Sequence, residues 1–135
     1  MAGNDIKPTA AELEVLNVLW AHGPSTVRFV NDKLNEEKVP KNGSQSVGYT
    51  TTLKIMQIMA EKGLLKRDES QRSHLYGVAL PQARVQKALL DRLLETAFGG
   101  SALKLVMQAL GGRKATPEEI SRIRELLDNM ERGGK

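Results

Sequence analysis

Between Gly48 and Gly63, in the stretch GYTTTLKIMQIMAEKG, apolar and polar positions separate onto two sides of a helix. Tyr49, Leu53, Met56, Met59 and Ala60 recur at spacings of three and four, which predicts an inward face. Thr50, Thr51, Lys54, Gln57 and Glu61 fall on the opposite side. That outward side is short-chained, hydroxyl-rich and cationic toward its N-terminal half, a composition suited to a phosphate-lined groove. Any amphipathic surface helix shares the pattern in outline, so the neighbouring segments decide what it means.

Upstream, Leu13, Leu16, Val18, Leu19 and Trp20 form the apolar stripe of a first helix. Thr9 and Glu12 stand at capping-box spacing before it, and His22, Gly23 and Pro24 end it. Ser25 is expected to cap a second helix that turns Val27, Val30 and Leu34 inward and Glu36, Glu37 and Lys38 outward. Val39 to Val47, rich in Pro, Gly, Asn and Ser, reads as a loop. After the third helix, Leu64–Arg67 and His74–Ala79 read as two short strands around a polar tip at Glu69–Ser73, with Leu65, Leu75, Tyr76 and Val78 as their apolar members. Three helices followed by a basic-tipped hairpin is the order of a winged helix, whose third helix enters the major groove while the hairpin lies along the neighbouring backbone. Arg67 and Arg72 on the wing are then expected to reach phosphate.

Past Leu80 the pattern is wholly helical. Pro81 starts a helix carrying Val85, Ala88, Leu89 and Leu93, which Gly99 and Gly100 break. Ser101 to Leu110 presents Leu103, Val106, Met107 and Leu110. Thr116, Pro117, Glu118 and Glu119 open a last helix whose apolar side is Ile120, Ile123, Leu126, Leu127 and Met130. Three such helices are too few to close a core of their own. Their apolar faces either fold back on the first domain or meet a second copy of the chain. A homodimer is expected, because helix-turn-helix proteins usually read paired half-sites. The candidate dimerisation residues are Leu89, Leu93, Leu103, Val106, Met107, Leu110, Ile120, Ile123 and Leu127. The fold class is thus mainly α with a small β-hairpin: a winged helix-turn-helix domain over residues 1–80, then a helical dimerisation region over 81–135.

Composition narrows the function by exclusion. Five aromatic residues in 135 are a thin supply of stacking platforms, which argues against single-stranded nucleic acid as the main ligand. The absence of cysteine removes disulfides, thiolate metal sites and cysteine nucleophiles. The residues MAGNDIKPTAAE lack the cationic and apolar regions of a secretion signal, and no apolar run is long enough to span a membrane, so a cytoplasmic protein is expected. The net charge of +4 permits nucleic-acid binding, and from Lys38 to Arg72 seven basic residues stand against Glu61, Asp68 and Glu69. His22 and His74 have no second ligand at metal spacing, and Glu36/Glu37 and Glu118/Glu119 sit at helix ends where carboxylates serve the dipole or water. Gly111, Gly112, Arg113 and Lys114 lack the spacing of a phosphate-binding loop. No enzyme, metal or cofactor is expected.

The series TAAELEVLNVLW, GYTTTLKIMQIMAEKGLL, a wing containing RSHLY and a helical C-terminal region resembles the penicillinase-repressor family of bacterial transcriptional regulators. The resemblance runs from about Pro8 to Met130 and is most specific at Thr9, Glu12, Val15, Leu16, Leu19 and Trp20 and in the threonine-rich third helix. It implies a homodimeric repressor on a palindromic operator of double-stranded DNA, with β-lactam-resistance-type genes as targets. By position, the resemblance implies that Thr50, Thr51 and Lys54 make the groove contacts and Arg72 or His74 the wing contact, and Gln57, on the same outward face, is a fourth candidate. In the family, repression is commonly relieved when a membrane-linked β-lactam sensor triggers proteolysis in the dimerisation region, or in the copper-responsive branch through C-terminal cysteines. This chain departs from both patterns: it has no cysteine, and Gln108 and Ala109 stand where an Asn-Phe bond is cut. The alternative reading is a winged-helix protein–protein interaction module that does not bind DNA.

Overall fold

The first helix, α1 (Ala10–His22), opens where a capping box predicts it. The Glu12 N–H donates to Thr9 Oγ1 at 3.1 Å while the Thr9 N–H donates to Glu12 Oε1 at 3.0 Å, so two backbone donors at the helix start are satisfied reciprocally. Seven further elements follow: α2 (Val27–Glu37), α3 (Tyr49–Glu61), β1 (Leu65–Asp68), β2 (Leu75–Val78), α4 (Gln82–Ala97), α5 (Ala102–Gly111) and α6 (Pro117–Glu131). This computed structural model describes residues 6–37, 47–70, 72–111 and 115–133. All of the expected Val39–Val47 loop except Val47 lies outside them, as do Lys38, Lys41, Arg113 and Lys114.

The chain divides into two compact units, Met1–Leu90 and Asp91–Lys135. In the first, Val15, Leu16, Val18 and Leu19 of α1, Val27, Val30 and Leu34 of α2, and Met56 and Met59 of α3 are buried together with Leu64, Leu65, Tyr76 and Val85. Leu80, Ala88 and Leu89 pack against this core, so the first turns of α4 complete it. The antiparallel strands pair Leu65 with Val78, Lys66 with Gly77, Arg67 with Tyr76 and Asp68 with Leu75. Three helices and a hairpin make this unit a winged helix.

Ser25 does not cap α2. Thr26 does, its Oγ1 accepting the Phe29 N–H at 3.1 Å, while Ser25 is buried as a single-residue extension of the hairpin. Its N–H donates to the Tyr76 carbonyl at 3.0 Å, and its carbonyl accepts the Tyr76 N–H at 2.8 Å. Two adjacent hydroxyl residues could each have capped the helix, and pairing with Tyr76 commits Ser25 to the sheet.

In the second unit α6 carries its own capping box, Thr116 with Glu119, and Pro117 at its start. No residue of α5 or α6 is buried. Among the described residues no helix is long and apolar enough to cross a membrane.

Candidate nucleic-acid interface

Among the described residues of the winged helix three polar side chains are buried, Glu12, Ser25 and Thr52, and each makes a hydrogen bond at a junction between elements. Two of those junctions hold α3. At its C-terminal end, Lys62 Nζ donates to both carboxylate oxygens of Glu12 at 2.8 Å, joining the last turn of α3 to the cap of α1. Gly63, at φ +86°, then turns the chain: its N–H donates to the Ala60 carbonyl and the Leu64 N–H to that of Met59, closing the helix with a Schellman motif. Toward its N-terminal end, Thr52 is fully buried against Asn31 of α2. With its amide nitrogen turned toward the carbonyls, the orientation that satisfies both of its polar atoms, Asn31 reaches Val47 O at 3.1 Å, Gly48 O at 3.2 Å and Thr52 Oγ1 at 2.7 Å.

This anchoring centres the inward face of α3 on Thr52, Met56 and Met59, about half a residue step around the helix from the expected face. Leu53 and Ala60 are partly buried at its flank. Tyr49, expected inward, is instead 45 % exposed. Its ring lies under the guanidinium of Arg28, 5.5 Å from the ring centroid. Thr50, Thr51, Lys54, Gln57 and Glu61 are not part of the buried face, and Ile58 is exposed as well.

An open groove of about 520 Å³ lies beside this helix, lined by Thr26 and Arg28 of the α2 start, Tyr49, Leu53 and Gln57 of α3, and Arg67, Arg72 and His74 of the hairpin. It brings Gln57 together with all three wing residues singled out from the sequence. Thr50, Thr51 and Lys54 lie on the same helix but do not line the groove. Arg67 is engaged within the wing: hydrogen bonds to the Tyr76 hydroxyl and the Glu69 carboxylate raise its already high pKa, so part of its charge is compensated in place. At the hairpin tip the Ser70 N–H donates to Asp68 Oδ1 at 2.9 Å, which with the Ser70 hydroxyl holds the Asp68 carboxyl below the usual carboxylate range. The basic excess around α3 is smaller in effect than the sequence suggests, since Lys62 is matched by Glu12 from outside the segment Lys38–Arg72, while the Arg67–Glu69 pair lies within it.

Thr26, Arg28 and Ser73 are groove residues that the sequence did not single out, and Tyr49 is one that its periodicity placed inward. Arg28 lies in a segment with no basic run. Tyr49 shares the helical spacing of the core positions, and only its place in the first turn of α3, N-terminal to the buried Thr52, marks it as different.

The candidate dimerisation residues divide by unit. Leu89 packs on the core of the first unit. In the second, Ile120 and Ile123 are half-buried, whereas Leu93, Leu103, Val106, Met107, Leu110 and Leu127 are exposed, Leu103 by 68 % and Met107 by 64 %. Among the described residues no group of three or more His, Asp or Glu could hold a metal ion.

The profile of a protein family described as Penicillinase repressor matches residues 8–129 of the chain. No curated protein matches it. Among solved structures, a mutant of ZitR from Lactococcus lactis is similar at 21 % identity and a TM-score of 0.45, over 97 % of this chain and 78 % of that one.

Proposed function

The chain belongs to the penicillinase repressor family, and from that premise we propose that this DNA-binding repressor acts as a homodimer on a palindromic operator, one α3 and one wing to each half-site. The observation that carries the reading is the groove in which Gln57 of α3 meets Arg72 and His74 of the wing, on the helix that also carries Thr50, Thr51 and Lys54 outside the core. A duplex presents base edges flanked by phosphates, and this surface presents hydroxyls and an amide flanked by cations. Lys54 and Arg72 are assigned to phosphate, and Thr50, Thr51 and Gln57 to base edges or sugar. β-Lactam-resistance-type genes are the first candidate targets, by family.

The dimer is supported by the second unit. Leu103, Val106, Met107, Leu110, Leu126, Leu127 and Met130 are exposed on two short helices with no buried residue of their own. Apolar exposure on that scale marks an association surface. A second copy supplies the same apolar residues and completes the pair of half-site readers.

A gel-shift assay with the DNA upstream of the chain's own gene tests this reading. A retarded complex that weakens steeply with salt is expected, and it should disappear in the Lys54→Ala/Arg72→Ala double variant while sedimentation still finds a dimer. A wild-type chain with negligible affinity for duplex at low salt would make the winged helix a protein-binding module instead.

A further inference from the structure

We propose that Arg28, oriented by the ring of Tyr49, is a further backbone contact of this chain, taking a DNA phosphodiester in the groove that Arg72 and His74 also line. The inference rests on the DNA-binding reading and adds to it a contact from α2, outside the recognition helix and the wing.

Arg28 is the second residue of α2, where a helix favours negative charge, and the first turn holds no acidic residue to balance it. Among the described residues no carboxylate pairs with it. Helix stability therefore does not account for a cation at this position. What holds it is the Tyr49 ring, 5.5 Å from the guanidinium carbon, and both residues are exposed. A guanidinium lying on an aromatic face keeps its donors at the rim of the plane free, so the stack fixes a direction without consuming hydrogen-bonding capacity. Those donors stand in a groove whose other polar lining, among the described residues, includes Arg72, His74, Ser73 and Gln57 and no carboxylate. A concave, cationic, acid-free surface beside a recognition helix fits the sugar–phosphate strand that borders a major groove. Tyr49 is thereby a positioning residue: it acts through Arg28.

The test uses the full-length chain and a labelled duplex of random sequence, with affinity followed by fluorescence anisotropy from about 50 to 200 mM salt. Arg28→Ala should lower affinity on the order of tenfold at the low-salt end. It should also flatten the slope of log K against log salt by about 0.9 for each phosphate that is no longer neutralised. Its melting temperature should stay at the wild-type value, since the side chain is exposed. Arg28→Lys should keep most of the slope and lose part of the affinity. Tyr49→Phe should behave as wild type, and Tyr49→Ala should lose affinity only when Arg28 is present. Wild-type affinity and slope in Arg28→Ala, in a chain that binds duplex normally, overturns this contact alone. An equal loss from Tyr49→Ala with and without Arg28 overturns the positioning role. A wild-type chain that ignores duplex altogether removes the Arg28 proposal together with the DNA-binding reading.

Discussion

Asn35 holds Val47 by both of its backbone groups: its Oδ1 accepts the Val47 N–H at 2.6 Å, and its Nδ2 donates to the Val47 carbonyl at 3.1 Å. One turn earlier on the same face of α2, Asn31 reaches the carbonyls of Val47 and Gly48. Two asparagines four residues apart thus fasten the chain just before α3, where Gly48 provides no side-chain cap. The direction in which the candidate recognition helix leaves α2 is set by this clasp and by the neighbouring Thr52.

Removing the clasp should loosen α3 at the end that carries Thr50 and Thr51. Asn35→Ala strands one donor and one acceptor in a partly buried position, at a cost of about 1–3 kcal/mol in urea denaturation. DNA affinity should fall as well, although Asn35 lies outside the groove. Asn35→Asp, which keeps the acceptor and removes the donor, should fall between. Stability equal to wild type in Asn35→Ala would show that the clasp is incidental.

Lys54, midway along α3, and Lys62, at its C-terminal cap, carry the same charge and should fail in opposite ways. Lys62 is bound at both carboxylate oxygens of the buried Glu12, so Lys62→Ala leaves that carboxylate without its cation. Because Lys62 itself is about two-fifths exposed, the loss is discounted to about 1–3 kcal/mol. The salt slope of DNA binding should not change. Lys54→Ala should leave stability within about 0.5 kcal/mol of wild type and flatten the slope by about 0.9 per phosphate. Reversed outcomes would mean that the two lysines have been given each other's roles.

Gly63 adopts φ +86°, and nothing lies within 4 Å of where a Cβ would stand. The cost of Gly63→Ala therefore comes from backbone conformation and not from a clash. It should destabilise by about 1–2 kcal/mol, read as a melting temperature lower by several degrees. A melting temperature unchanged or raised would show that the Schellman turn relaxes freely.

Asp68 links the wing tip to pH. Its folded-state pKa is depressed, so its contribution to the tip is present above the unfolded value of about 3.9 and is lost as pH falls through the lower folded value. Carboxyl NMR titration should find Asp68 ionising below a model-peptide aspartate, and the Ser70 amide should shift in the same titration. Ser70→Gly, which removes the hydroxyl and keeps the N–H, should return part of the depression. An Asp68 that titrates at the peptide value would count against the tip geometry.

Much of the architecture is legible along the chain because its signals are local. The Thr9/Glu12 and Thr116/Glu119 boxes, the turn at Gly63 and the valine and leucine spacing of α2 each act within one or two turns. The differences arise where a distant partner chooses between local equals. Ser25 and Thr26 are both competent caps, and Tyr76 settles which is used. Thr52 looks as polar as Thr50 and Thr51 until Asn31 buries it, and that burial turns the face of α3 away from Tyr49. Lys62 counts as a basic residue in the sequence, but Glu12 in α1 receives its charge. The groove residues on the wing are recognisable from the order of elements, whereas Arg28 depends on the packing of α2 beside α3 and leaves no periodic trace.

If paired winged helices read duplex DNA through α3, with the wings on the flanking backbone, the DNA itself should record the arrangement. Hydroxyl-radical footprinting of the full-length chain on the DNA upstream of its gene should show two dyad-related protected patches. Their separation should be a whole number of helical turns, roughly 10 base pairs or a multiple. The wing-side protection at the outer edge of each patch should fade in Arg72→Ala. A single asymmetric patch, or no protection at a protein concentration where the dimer is intact, would refute paired reading of the duplex.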